Sequence, residues 1–211
     1  MMQQTETQPI RTPDEAFALL RAAKLLTLTS SGTGVPSIVE AVVGGPIKGS
    51  WWAHRDGKTI YALATALDAS PEVLTSTIVA GRVTFVHRGL WAPLYRTVTD
   101  GQWRSWARAI LPMSAIDLLD TIERERTLRL QSPTVQAKKD RDALKRAGLV
   151  LADQEHTESG RHESVLRSWR TWEPPPIVQA EARRMSSDEA QRRLMAAGAT
   201  MFGSRLPKKK G

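Results

Sequence analysis

Apolar residues recur at helical spacing from Pro13 onward. Phe17, Leu19, Leu20, Ala23 and Leu26 mark one face. Thr12-Pro13-Asp14-Glu15 places an N-cap, a proline at the first helical position and a capping-box glutamate in order. The pattern predicts a helix over 13–28, ended by Ser30-Ser31-Gly32-Thr33-Gly34. A short helix over 37–43 follows, closed by Gly44-Gly45-Pro46. A third covers 57–68, with Asp56 as N-cap and Ile60, Leu63, Ala64 and Leu67 apolar. After Pro71 the period changes from 3.6 to 2. Two β-branched and aromatic runs flank Ala80-Gly81, which predicts a hairpin over 73–88. A two-residue loop there sets Ile78 opposite Val83 and Ser76 opposite Phe85. Leu74, Ile78, Val83 and Phe85 are then expected on one core-facing side.

The second half repeats this order. Helices are predicted over 90–98 and 102–110, carrying Trp91, Trp103 and Trp106, then over 114–126 and 133–146. Ser132-Pro133 reads as an N-cap followed by the first helical residue, and Gly148 as the residue that ends the helix. A second hairpin over 149–169 turns at Ser159-Gly160. That register sets His156 opposite Glu163 and Thr157 opposite His162, so the histidines point to opposite faces and no metal site is expected. Trp172-Glu173-Pro174-Pro175-Pro176 reads as a stiff exit. Beyond it, Ser186 and Glu189 begin one capped helix that runs to about residue 197. The chain closes on Lys208-Lys209-Lys210-Gly211.

Three helices and a β-ribbon, taken twice, suggest an α+β, mostly helical protein of two units. The expected boundaries are 12–98 for the first unit, 99–172 for connecting helices and the second unit, and 173–211 for a Pro-rich exit and basic tail. In the second unit the residue types also speak. Asp142-Ala143-Leu144-Lys145-Arg146-Ala147-Gly148-Leu149-Val150, a polar strand, and Ser159-Gly160-Arg161 together resemble winged helix-turn-helix regulators. The resemblance is close over about 40 residues and loose over about 60, whereas the first half resembles the family only in element order. It implies a third helix in the DNA major groove and a wing on phosphate or the minor groove. Tandem winged helices are also the architecture of AlkZ-type DNA glycosylases. Their paired-glutamine motif is absent from this shorter chain, so that likeness concerns architecture only.

Charge agrees with an anionic partner. Thirty Lys and Arg against 22 Asp and Glu leave 211 residues with a net charge of +8. Residues 177–211 hold eight of those cations against three acids. There are no cysteines, which excludes disulfides, thiolate zinc sites and cysteine nucleophiles. No run is apolar enough to span a membrane, and the first residues lack a signal-peptide pattern. The expectation is therefore a cytoplasmic DNA-binding protein with no cofactor, acting in repair, nucleoid association or transcriptional control. Lys138, Lys139, Arg141, Lys145 and the wing residue Arg161 are expected on DNA. Arg55, Lys58 and Arg82 would extend the phosphate track, and Trp51 or Trp52 would stack on bases. Two other readings stay open. Glu40 and His54 would serve a DNA glycosylase or nuclease as an acid–base pair, or the fold would act as a protein-interaction scaffold.

Overall fold

A computed structural model of the chain describes residues 9–156 and 162–201. The first half runs α1 (Pro13–Ala23), β1 (Leu25–Thr27), α2 (Ile38–Val43), α3 (Gly57–Asp68), β2 (Val73–Val79) and β3 (Arg82–His87). The second runs α4 (Trp91–Val98), α5 (Gly101–Ala109), α6 (Met113–Glu125), β4 (Thr127–Leu130), α7 (Val135–Arg146), β5 (Val150–His156) and β6 (His162–Ser168). Two further helices follow, α8 (Pro176–Arg184) and α9 (Ser187–Ala196). The protein is α+β and mostly helical, with two small antiparallel sheets of the same strand order, β1-β3-β2 and β4-β6-β5.

Several helices start where their caps predict. Thr12 and Glu15 bond each other's backbone N–H at 3.3 and 2.9 Å, and Ser37 and Ser186 accept from the N–H three residues on. Two caps differ. Thr134 rather than Ser132 caps α7, accepting from the Ala137 N–H at 3.1 Å. Asp56 precedes α3 but spends its carboxylate on Arg11, 2.9 Å away. The helix expected to reach residue 28 stops at Ala23, because Lys24 turns left-handed (φ 67°) and releases Leu25–Thr27 to pair with β3.

Asp100 caps α5, accepting from the Trp103 N–H at 2.8 Å. It also accepts from the Ser187 hydroxyl at the start of α9 and lies 3.4 Å from Arg96. Burial pushes its carboxyl up. The Ser187 and Trp103 donors and the Arg96 charge outweigh that and hold it below the usual carboxylate range. A depressed pKa means the stabilisation is present above the ordinary value near pH 3.9 and is lost as pH falls through the folded value. Asp100→Asn is therefore expected to lower stability by about 1 kcal/mol at neutral pH. Urea melts should show the deficit shrinking below about pH 3.9 as the parent carboxyl also protonates.

The first hairpin departs most from expectation. Ala80 and Gly81 do form its loop, with Val79 paired to Arg82. The register then shifts between Val79 and Ser76, so Ser76 faces Thr84, not Phe85, and Thr75 faces Phe85. The bulge turns apolar side chains to both sides of the sheet. Val73, Val83, Phe85 and Leu26 pack on one side with Ala16, Leu20, Ile38, Ile60 and Leu63 of α1–α3. Leu25, Leu74, Ile78 and Val86 turn to the other, where they meet Leu144, Leu149, Val150, Leu166 and Trp169 of the second half. The expected single face of Leu74, Ile78, Val83 and Phe85 is thus split.

A sheet apolar on both sides needs a cover on both sides. Here β2 lies against β5 and α7, and the Thr77 hydroxyl donates to the Lys145 carbonyl at 3.4 Å. The hairpin tip is covered as well. The Ala80 N–H donates to Thr200 Oγ1 at 2.6 Å, and a Cβ on Gly81 would lie 2.9 Å from Arg146 Cγ. The first ribbon is therefore not an outward wing.

In the second hairpin β6 pairs His162 with His156 and Glu163 with Glu155, one step from the predicted register. The expected turn at Ser159-Gly160, with Arg161, lies outside the described residues. The segment expected as exit and tail is joined to the body as far as Met201. Helices α8 and α9 pack on α4, and Leu194, Ala199 and Met201 are buried in the shared core. Met201 presses so closely on Gly148 (φ 63°) that a Cβ there would lie 2.9 Å from its Cβ. Lys208, Lys209 and Lys210 lie outside the described residues.

Candidate nucleic-acid interface

A cleft of about 350 Å³ opens where the two halves meet. One wall is α3. Tyr61, Thr65 and Asp68 fall at four- and three-residue intervals, which puts them on one helix face lining the cleft. Trp51 and Trp52 stand beside Tyr61, in the single helical turn that precedes α3. Their rings stack at 4.2 Å and 24°, and Trp52 lies 5.4 Å from the Tyr61 ring. Trp51 is half-buried against the first core, which anchors the row. Trp52 and Tyr61 remain 56% and 48% exposed. Asp68 accepts a hydrogen bond from the Thr75 hydroxyl, and both line the cleft.

The other wall comes from α7 and the second sheet. Arg141 and Lys145, one helical turn apart, line the cleft with Ala152 and Ser164. Arg141 donates to Ser164 Oγ at 3.0 Å and to the Asp142 carboxylate at 2.9 Å, which fixes the guanidinium at the rim. Burial pushes the Lys145 ammonium pKa down. The nearby Arg141 charge adds to this, Asp142 opposes it and Arg82 adds again. Lys138, exposed, lies three residues before Arg141 and so continues the same stripe outward. Lys139 is exposed on the adjoining strip of the helix.

The remaining predicted residues divide. Arg82 is exposed and lines a second pocket of about 380 Å³ with Glu40 and Trp51. Arg55 and Lys58 are exposed at the start of α3 but line neither pocket. The expected Glu40–His54 pair is split between other partners. Glu40 accepts from the Ser37 hydroxyl at 2.8 Å, while His54 Nδ1 accepts from the Asp56 N–H at 3.2 Å. Tyr61, Thr65, Asp68 and Ser164 were not singled out by sequence. The α3 trio was detectable as one helical stripe, whereas its apposition to α7 is tertiary.

No helix among the described residues is long and apolar enough to cross a membrane. Comparison of the chain with protein-family models, with curated proteins and with solved structures finds no match.

Proposed function

We propose that the protein binds DNA as a tandem winged-helix protein. The first half sets helix, strand, two helices and a two-stranded ribbon in sequence, and the second sets helix, strand, one helix and a ribbon, each with its first strand on the ribbon's second strand. The first is the order of the winged helix, and the second is that order with one helix fewer. In each half the helix before the ribbon is the one that would read DNA, namely α3 and α7. The observation that carries the proposal is the basic stripe Lys138–Arg141–Lys145, which runs along α7 into a cleft walled by tryptophan and tyrosine. Cations facing exposed aromatic rings across a cleft are a combination that holds phosphates and bases together. The contact surface differs from the sequence expectation, because the tip of the first ribbon is covered and the α7 side of the cleft takes its place.

Lys138→Ala with Lys139→Ala is expected to weaken DNA binding about equally for unrelated sequences. It should also reduce the slope of log affinity against log salt by about 2. Gel shifts from low to moderate salt measure both. A parent protein that shifts no DNA at low salt would leave the fold as a protein-binding scaffold.

A further inference from the structure

We infer that the cleft takes one unpaired nucleotide of a DNA strand, with its base against Trp52 and Tyr61 and its phosphate on Arg141 and Lys145. The inference rests on the DNA-binding proposal and deepens it.

Size is the first argument. The two helices that would read DNA do not project side by side toward a duplex. They face each other across about 350 Å³, near the small end of ligand sites, which begin at about 300 Å³. A major groove is itself about 12 Å wide and a duplex is wider still, so base pairs do not enter this space. A single nucleotide is the part of a nucleic acid that does.

Chemistry is the second. Trp52 and Tyr61 are large rings left half in water, next to a Trp51 ring that is already stacked and anchored. Covering them with a flat base gains stacking without first ordering the protein. Arg141 and Lys145 stand across the gap rather than beside the rings, so a ligand touching both walls needs a flat apolar part and an anionic part. Their partial burial strengthens attraction to an anion. Along α3, Tyr61 and Asp68 are seven residues apart, roughly 10 Å, which leaves room for a base to reach from ring to carboxylate. Asp68 is an acceptor-only group already holding the Thr75 hydroxyl. It favours a base edge bearing an exocyclic amino group, so cytosine is preferred to thymine.

The full chain is titrated into fluorescein-labelled single strands of oligo-dC and oligo-dT and into a duplex of equal length, read by anisotropy. Single-stranded dC is expected to bind at least about tenfold more tightly than the duplex, and more tightly than dT. Trp52→Ala with Tyr61→Ala should lower single-strand affinity about 10- to 100-fold and duplex affinity much less. Trp52→Phe, which keeps an aromatic face, should retain most of the single-strand binding, and this guards against a mere folding defect. Asp68→Asn should narrow the preference for dC over dT. Equal affinity for duplex and single strands, or equal loss of both in the double variant, overturns the inference and leaves the DNA-binding proposal standing. No binding of either form overturns both.

Discussion

Leu144→Ala is expected to cost about 2–5 kcal/mol and to lower a single unfolding transition of the whole chain. Leu144 is fully buried, and its setting explains the size of the effect. It sits on α7 but belongs to a core that collects Leu25, Ile78 and Val86 from the first half and Leu149, Val150 and Trp169 from the second. Removing its side chain leaves a cavity between the halves rather than inside either one. The Trp169 indole N–H donates to the Gly148 carbonyl at 2.7 Å, two residues beyond α7, so the surround has little freedom to collapse. Urea unfolding followed by far-ultraviolet circular dichroism and by tryptophan fluorescence should give coincident curves for parent and variant. Two separated transitions in the parent would contradict a shared core.

The second large effect concerns the cations of the cleft. Arg141→Ala and Lys145→Ala should each weaken single-strand binding by about 1.5–3 kcal/mol, at least tenfold. Together they should reduce the salt slope by about 0.7, because both hold the same phosphate and a single strand contributes roughly 0.7 per phosphate. Lys145 adds a pH signature. Its lowered pKa means that its charge is lost at a lower pH than that of an ordinary lysine. Binding should therefore weaken as pH rises, before the ordinary lysine value of about 10.4 is reached. Lys145→Arg keeps its charge over that rise and should flatten the profile. Anisotropy titrations across pH and salt check all three outcomes. A pH-independent parent would remove Lys145 from the contact.

What was legible in the sequence was local. The capping boxes, the Ala80-Gly81 loop and the stretch carrying Trp51 and Trp52 depend on residues within a few positions of one another. The strands β1 and β4 were not legible. Leu25 and Leu26 continue the apolar spacing of α1, and only pairing with β3, some 60 residues on, draws them out of it. The bulge in β2 was equally hidden, because Thr75-Ser76-Thr77 offers similar side chains to either register. Yet that one-step shift decides which face each residue takes. Of the candidate site, charge and aromatic content pointed to both walls, Trp51 and Trp52 on one side and Arg141 and Lys145 on the other. Charge also pointed to Arg55 and Lys58, which line neither pocket. Nothing local separates a cation that faces a cleft from one that faces water.

The cover over the first hairpin has a consequence for how the chain reaches this fold. The hairpin joins near neighbours and can form early, but Thr200 meets Ala80 across 120 residues of chain. The Thr200 N–H also donates to the Ile78 carbonyl at 2.9 Å, and Met201 closes over Gly148. Links of such sequence separation are the slow ones to find. Until they close, β2 presents unsatisfied backbone groups beside the apolar side chains of Ile78 and Val79, the kind of edge that recruits a second chain. Residues 198–201 thus cover the exposed edge of the first sheet and seam it to the second half.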